Sequence, residues 1–317
     1  MERRIYWEHV PLRWRPFLEL TLERYRLQAR APKVSGIHSF AGQKQMSKSF
    51  LKFGMAMLPY EMDDEPVLQN CLSLRGQQNY LEKLAQVSLN PDGLCWLDPP
   101  CGWWIWMSIS VHKRSKKNPY GDTGHPMVVW HNTIAEFVAD VIRTCDALGV
   151  HYVMEQPLTC VLPEFPPVEK ALMATKAACI KFPLCKFGAS SQKPMQFWGT
   201  APWLQQLRAI AERIYVCPSG SKPEDFPAGP NIVFAAAPTQ TLSFRGPEGQ
   251  VTGQKRVMTG SAAYPPCFCD TIAFIHKVHL ARLFAEAVAK ILGKRFPELR
   301  NNWFVLAILP FLAGISL

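Results

Sequence analysis

Between residues 34 and 157, short apolar runs of strand length alternate with longer segments whose apolar residues recur at helical spacing. This alternation is typical of a parallel sheet with helices packed on both of its faces. The sequence therefore predicts an α/β fold with a mainly parallel sheet. The predicted strands are Val34–Phe40, Met55–Tyr60, Leu94–Leu97 and Val150–Met154.

The longest helical pattern runs from Val128 to Leu148, and Gly149, which follows it, is suited to a left-handed helix cap. A second long helix is predicted to begin after an N-cap at Asp270 and to end at Leu292. The shorter predicted elements are helices at Ser47–Phe53, Val168–Ala178 and Pro202–Ile214 and a strand at Met195–Trp198.

The composition divides the chain into four regions. Residues 1–33 form a basic extension, for which a short amphipathic helix packed on the body is favoured over an arm that binds nucleic acid. Residues 34–216 and 260–293 form the main domain. The segment 217–259 is rich in Pro, Gly, Ser and Thr and is predicted to be a small irregular insertion. Residues 294–317 form an apolar C-terminal tail.

The apolar part of the tail, residues 303–317, is shorter than the roughly 18–20 residues that span a bilayer. A terminal strand or core segment is therefore favoured over a membrane anchor. The N-terminus has no apolar core of signal-peptide length, which predicts an intracellular protein of the nucleus or cytoplasm rather than a secreted one.

The charge balance favours an anionic partner. The chain has 35 Lys and Arg against 25 Asp and Glu, a formal charge of +10, so nucleic acid is expected before a membrane. With 48% hydrophobic and 19% charged residues, disorder is excluded as the main state. The ten cysteines include no C-x-x-C pair, so we expect reduced thiols and no metal site.

Polar residues follow the predicted strands at the points where these strands end. Glu61 follows the second strand, Asp98 the third and Glu155 the fourth. Open α/β sheets bind their ligands at the carboxyl ends of the parallel strands. The sequence therefore predicts a ligand site at this edge.

The tetrad Asp98-Pro99-Pro100-Cys101 brings a cysteine to the same edge. Two prolines cannot continue a sheet, so they fix the backbone and direct the next side chain. Cys101 is a candidate nucleophile, because a thiolate adds readily to electron-poor carbons. Glu155 offers a carboxyl group for proton delivery or hydrogen bonding. For either residue taken alone, a buried structural position is the default interpretation.

The order of these motifs along the chain resembles that of the cytosine-C5 DNA methyltransferase family, including its divergent members with a Pro-Pro-Cys motif. The resemblance covers roughly residues 35–290. The motifs, in order, are Phe40-Ala41-Gly42, Glu61, Pro99-Pro100-Cys101, Glu155-Gln156-Pro157, Gln192-Lys193 and the segment from Gly260 to Pro266 that opens a helix.

The resemblance implies a Rossmann-like class I methyltransferase fold that binds S-adenosylmethionine at the carboxyl edge of its sheet. Phe40 and Gly42 match the turn that approaches this cofactor, and Glu61 matches the acid that holds its ribose hydroxyls. The remaining residues expected on the cofactor side are Asp98, Pro99 and Ser261.

On the substrate side, the resemblance implies that Cys101 adds to C6 of cytosine while Glu155 holds the N3 and N4 edge of the base. A base in a duplex must leave the stack to reach such a site. The basic run 112–117 matches a mobile loop that closes over DNA, although a solvated loop is an equal alternative. The expected substrate-binding residues are Lys113, Arg114, Gln192 and Lys193.

Two other functions stay open at this stage. The altered residues after Gly42 and the absence of the family's later arginines after Gln192 are compatible with an inactive methyltransferase-like domain that binds nucleic acid or protein. Asp98-Pro99-Pro100 is also similar to the Asp-Pro-Pro-Tyr motif of amino-methyltransferases, with Cys101 in place of the aromatic residue. DNA is favoured as the substrate, with RNA as the alternative.

Overall fold

The computed structural model describes residues 5–27, 34–90, 92–225, 233–238, 243–245, 251–253 and 264–295. Its centre is a six-stranded sheet in the order β2-β1-β3-β4-β6-β5. The strands are β1 (Val34–Ser39), β2 (Ala56–Tyr60), β3 (Leu94–Leu97), β4 (His151–Pro157), β5 (Ala178–Pro183) and β6 (Pro194–Gly199). The first four strands are parallel, and β6 is antiparallel to both of its neighbours.

Helices cover both faces of this sheet, which gives a Rossmann-like α/β fold, as the sequence predicts. The described helices are α1 (Arg15–Leu27), α2 (Gln45–Lys52), α3 (Leu74–Ser88), α4 (Ile109–His112), α5 (Pro126–Leu148), α6 (Pro166–Ala174), α7 (Leu204–Glu212) and α8 (Pro266–Arg295). Two short strand pairs lie outside the main sheet: β7 (Ile214–Val216) with β8 (Val233–Ala235), and β9 (Ser243–Arg245) with β10 (Val251–Gly253).

The two cores follow from the alternation of side chains along each strand. In β3, Cys95 and Leu97 face the core formed with α1, α3, α5 and α6. Leu94 and Trp96 face the opposite core, formed with α2, α7 and α8. Every residue of β3 is buried, which is expected of a central strand covered on both faces.

The N-terminal helix α1 packs against α3. Leu18 and Leu22 are buried on its inner face, and Trp14 just before it donates its indole hydrogen to Gln77 Oε1 at 3.1 Å. Arg13 is paired with Asp140 on α5. These contacts attach the first turns of the chain to the body of the domain.

The structure differs from the sequence predictions at several elements. The helix expected after an N-cap at Asp270 begins at Pro266 instead, and Asp270 lies inside α8, where it pairs with Lys52 at 2.5 Å. The helix expected at Val168–Ala178 ends at Ala174, so that Ala178 begins β5. Helix α3, between β2 and β3, was not predicted, because Gly76 interrupts its helical signal.

Within the described residues, no helix is both long and apolar enough to cross a membrane. In the same part of the chain, no group of three or more His, Cys, Asp or Glu side chains is arranged to hold a metal ion. All ten cysteines have free thiols. About half of the predicted insertion and the whole apolar segment 303–317 lie outside the described residues.

Candidate active site at the carboxyl edge of the sheet

The strand order reverses at β1, since β2 lies on one side of β1 and β3 on the other. Ligands of open α/β sheets bind outside the carboxyl ends of the strands at such a switch point. Phe40 follows β1, Glu61 follows β2, Asp98 follows β3, and Glu155 lies in the last half of β4. The fold thus brings the predicted strand-end residues to one edge of the sheet.

The turn between β1 and α2 leaves open space beside Gly42. Phe40 has a φ of +59° and Gly42 a φ of +45°, and a Cβ atom added to Gly42 would meet nothing within 4 Å. The Gly42 amide donates a hydrogen bond to Glu61 Oε2 at 2.8 Å. Lys44 in the same turn is paired with Asp64 at 2.8 Å, so its ammonium is held beyond the end of β2.

These residues fit the adenosyl part of S-adenosylmethionine. A carboxylate at the end of β2 suits a ribose diol, and the turn at Gly42 has room for a ligand to approach the backbone. Glu61 is itself positioned by Gln69, whose side-chain oxygen accepts from the Glu61 amide at 2.5 Å. Ser261, which is also expected on this side, lies outside the described residues.

Asp98 is held through both carboxylate oxygens. His38 Nε2 lies 2.8 Å from Oδ2, and the Tyr264 hydroxyl donates to Oδ1. His38 also contacts Ser47 through Nδ1 at 3.3 Å, and the Trp96 indole donates to the Tyr264 oxygen at 3.3 Å. Asp98 is therefore the centre of a polar network that includes residues from β1, β3 and the start of α8.

Cys101 comes three residues after this anchored aspartate and is partly buried. Its carbonyl accepts from the Trp104 amide at 2.8 Å, which makes a tight turn directly after the cysteine. Burial raises the pKa of the Cys101 thiol to about 11, and the neighbouring Glu155 carboxyl adds to this rise, whereas the Lys193 ammonium opposes it. In the free protein the thiol is therefore protonated at neutral pH.

Glu155 is buried, with 7% of its surface exposed. Burial raises the pKa of its carboxyl to about 8; Lys193 opposes this rise and Asp98 adds to it. Glu155 is therefore mostly protonated at neutral pH and can donate a proton or a hydrogen bond. A carboxyl group whose pKa is displaced toward the working pH is typical of acid–base sites.

Lys193 is the cation of this site. It lies in the turn that leads into β6 with a φ of +36°, and its ammonium lies 5.4 Å from the centre of the Tyr264 ring. Its charge lowers the pKa of both Cys101 and Glu155. The structure thus brings together Cys101, Glu155 and Lys193, which are separated by up to 92 residues in the sequence.

Gln156 joins β4 to the nucleophile turn. Its amide nitrogen donates to the carbonyl of Pro99 at 2.8 Å, and its oxygen accepts from Cys160 Sγ at 2.9 Å. Because side chains alternate along a strand, Glu155 and Gln156 point to opposite faces of the sheet. Sequence reasoning assigned Gln156 no role. His38 and Tyr264 were also missed, since both contact Asp98 from distant segments.

The residues predicted to bind the substrate lie in different environments. Lys113 is exposed, with a φ of +53°. Arg114 is 1% exposed and its guanidinium is directed into the protein, so the expectation that it reaches a nucleic acid is not met. Gln192 is exposed and lines a cleft of about 440 Å³ between the ends of β4, β5 and β6.

No protein-family model and no curated protein sequence matches the chain. A solved structure to which the chain is similar is that of the methyltransferase EhMeth of Entamoeba histolytica. The two are 13% identical, with a TM-score of 0.32, over 53% of this chain and 52% of that one. The chain thus spans about half the length of the matched structure.

Proposed function

We propose that the protein transfers a methyl group from S-adenosylmethionine to C5 of cytosine in nucleic acid, with DNA as the favoured substrate. The observation that carries the proposal is the meeting of Cys101 with a buried, protonated Glu155 at the carboxyl edge of the sheet. The open turn at Gly42 lies at the same edge. A nucleophile, an acid and a cofactor cradle are three of the groups that this reaction requires.

Cytosine C5 becomes nucleophilic only after addition at C6. In the proposed step, water accepts the proton of the Cys101 thiol, the sulfur forms a bond to C6, and Glu155 gives its proton to N3, which accepts the displaced electron pair. C5 then forms a bond to the methyl group, whose bond to the sulfonium sulfur breaks, so that S-adenosylhomocysteine would leave as the neutral thioether. Water removes the C5 proton, the electrons of that bond re-form the C5–C6 double bond and expel the Cys101 thiolate, and N3 returns its proton to Glu155, which restores the aromatic ring. Glu155 suits this role because its carboxyl is protonated at neutral pH.

Lys193 supports the attack in two ways. Its positive charge favours the Cys101 thiolate, which is the attacking form. It also provides a donor beside the base that Glu155 is proposed to hold. We propose that Lys193 takes the place of the arginines that the sequence lacks after Gln192.

We propose that Glu61 and the backbone around Phe40 and Gly42 hold the cofactor. S-adenosylmethionine supplies an electrophilic methyl group on a sulfonium. Asp98 contributes indirectly, because its two oxygens are already bound by His38 and Tyr264. This arrangement favours C5 chemistry over amino-methylation, in which the aspartate of an Asp-Pro-Pro motif would have to accept the amine of the base.

The proposed anionic partner is consistent with the formal charge of +10. In the segment that follows Cys101, the exposed lysines Lys113 and Lys117 are proposed to make phosphate contacts, which hold a nucleic acid without reading its sequence. A cytosine would have to leave a duplex to reach Cys101 and Glu155.

The test is methyl transfer from labelled S-adenosylmethionine to cytosine-containing DNA and RNA oligonucleotides, with the product nucleoside identified by mass spectrometry. We expect 5-methylcytosine, and we expect Cys101→Ala to lower the rate by at least about a thousandfold. Glu61→Ala is expected to raise the KM for the cofactor. The matched control is Cys267→Ala, an exposed cysteine on α8, which should leave the rate unchanged.

Three results would contradict the proposal. N-methylated bases would identify an amino-methyltransferase. Equal rates for wild type and Cys101→Ala would remove the nucleophile from the mechanism. The absence of both methyl transfer and cofactor binding by calorimetry would identify an inactive methyltransferase-like binding domain.

A further inference from the structure

Residues 101–125, which begin with the nucleophile Cys101, form what we call the nucleophile segment. They connect the Pro-Pro-Cys turn to α5. Arg114 lies in the middle of this segment and is 1% exposed, whereas its neighbours Lys113 and Ser115 are exposed. A guanidinium loses strong hydration on burial, so it is stable inside a protein only when its donors are paired.

The Arg114 guanidinium is paired on every nitrogen. Nε donates to the carbonyl of Trp103 at 3.0 Å, and Nη2 donates to that of Val128 at 3.3 Å. Nη1 lies within hydrogen-bond distance of the carbonyls of Pro119 and Tyr120, at 2.9 and 3.3 Å, and of Asn132 Oδ1, at 2.7 Å. These acceptors belong to the beginning of the nucleophile segment, to its later part and to the first turns of α5.

The Arg114 side chain also stacks on Trp104, whose amide binds the carbonyl of Cys101. The Arg114 guanidinium carbon lies 3.5 Å from the centre of the Trp104 ring. The Trp104 amide in turn donates to the carbonyl of Cys101 at 2.8 Å. Arg114 thus contacts the two residues, Trp103 and Trp104, that complete the turn after Cys101.

We propose that Arg114 is a positioning residue that clamps the nucleophile segment onto α5 and thereby fixes Cys101 in the site. The inference rests on the proposed function of Cys101. Opening the segment as a flap would break the hydrogen bonds of Arg114 and leave buried carbonyls without donors, so the segment stays closed in the free protein. Lysine cannot replace this arginine, because an ammonium cannot reach acceptors on three sides at once.

The test uses the full chain with Arg114→Lys and with the milder Asn132→Ala, which removes one acceptor of the guanidinium. The control is Arg208→Lys, an exposed residue of α7 paired with Glu212. Hydrogen exchange is measured over residues 101–125. Alkylation of Cys101 by iodoacetamide is measured as a ratio to that of the exposed Cys267 in the same sample.

We expect exchange in 101–125 to become at least about tenfold faster in Arg114→Lys, with a smaller effect in Asn132→Ala and none in the control. The alkylation ratio should rise several-fold. In methyl transfer, kcat should fall at least about tenfold while the KM for S-adenosylmethionine stays within about twofold.

Unchanged exchange in both variants would overturn the clamp. Faster exchange with an unchanged alkylation ratio would overturn the positioning of Cys101. Exchange and alkylation need neither nucleic acid nor cofactor, so the clamp can be judged even if the wild-type protein transfers no methyl group. A wild-type protein that transfers no methyl group would contradict the proposed function but not the clamp.

Discussion

The protonation of Glu155 is the property of a single residue on which the proposed chemistry most depends. An ordinary glutamate is ionised at neutral pH, and an ionised carboxyl could not donate to N3 of cytosine. Burial and the neighbouring Asp98 carboxylate keep the proton on Glu155, because both disfavour a second negative charge, whereas the hydrogen bond with Tyr264 favours the ionised form. The opposing charge of Lys193 holds the pKa of this carboxyl near 8, within reach of physiological pH.

The rate at which Cys101 attacks a cytosine analogue should change its pH dependence near pH 8. Below this value the rate rises with pH as the thiolate population grows, since the pKa of Cys101 is about 11. Above pH 8 the loss of protonated Glu155 cancels that gain, and the profile becomes level. In Glu155→Gln the break at pH 8 should disappear. A break at the same pH in this variant would assign the titration to another group.

The same carboxyl makes stability depend on pH. The folded pKa of Glu155, about 8, lies above the unfolded value of 4.5. The stabilisation that the protonated carboxyl contributes to the folded state is therefore fully present below pH 4.5 and is lost as the pH rises through 8. Relative to Glu155→Gln, we expect the wild type to lose on the order of a few kcal/mol of unfolding free energy between pH 5 and pH 9. Denaturant unfolding across this range measures the difference. If the unfolding free energies of wild type and Glu155→Gln changed with pH in the same way, Glu155 would not be a buried carboxyl with a raised pKa.

Lys193→Met should move the alkylation profile of Cys101 to higher pH, because the ammonium lowers the pKa of this thiol. Iodoacetamide labelling between pH 7 and pH 10, with Cys267 as the internal reference, measures the shift. Lys181→Met, an exposed lysine on β5, is the control and should leave the Cys101 profile unchanged. An unchanged profile in Lys193→Met would mean that its charge does not act on Cys101.

At the scale of elements, β4 performs two tasks with consecutive residues. Its alternation directs Glu155 toward Tyr264 and α8 and directs Gln156 toward the Pro99 carbonyl on the other face. The acid and the backbone that leads to the nucleophile are thus held by one rigid strand in the middle of the sheet. A shift of β4 by one residue would exchange these two side chains and remove both functions.

Gln156→Leu should lower the unfolding free energy by about 1–3 kcal/mol, because the Pro99 carbonyl and the Cys160 thiol lose their buried partner. It should also slow the attack by Cys101, since the Pro-Pro-Cys turn loses a restraint. Gln206→Leu, on the exposed face of α7, is the matched control and should change stability by less than about 0.5 kcal/mol. Equal unfolding free energies for Gln156→Leu and Gln206→Leu would show that the hydrogen bonds of Gln156 do not stabilise the fold.

The sequence predicted the elements whose apolar pattern is strong. β3 has the predicted bounds, and α5 begins two residues earlier than predicted and ends as predicted at Leu148. Helix α3 was missed because it contains Gly76, where the packing requires glycine: an added Cβ would lie 2.0 Å from the Asn70 carbonyl oxygen. β5 was missed because it is a short edge strand in which only Ile180 and Phe182 are buried.

For the site, sequence reasoning found the residues that directly follow strands, since topology alone brings those to one edge. It could not find His38 and Tyr264, whose contact with Asp98 depends on tertiary packing between segments 60 and 166 residues away. It also treated Arg114 as one of a run of exposed charges. Burial of that one guanidinium depends on Asn132 and Trp104, which no local pattern reveals.

At the scale of the whole molecule, the site is closed by the last described helix. α8 packs on α2, where Lys52 pairs with Asp270, and it brings Tyr264, just before its first turn, over the Trp96 ring. The polar network of the site thus extends from His38 to Tyr264. The chemistry of Cys101 therefore depends on the complete domain, and tests of it require the full chain.

The most direct test of the proposed mechanism is covalent trapping on an oligonucleotide that carries a mechanism-based cytosine analogue, with S-adenosylmethionine present. We predict a stable protein–oligonucleotide adduct whose linked peptide contains Cys101, no adduct with Cys101→Ser, and a wild-type amount with Cys267→Ser. Equal trapping by wild type and Cys101→Ser, or no trapping by either, would contradict the assignment of Cys101 as the nucleophile.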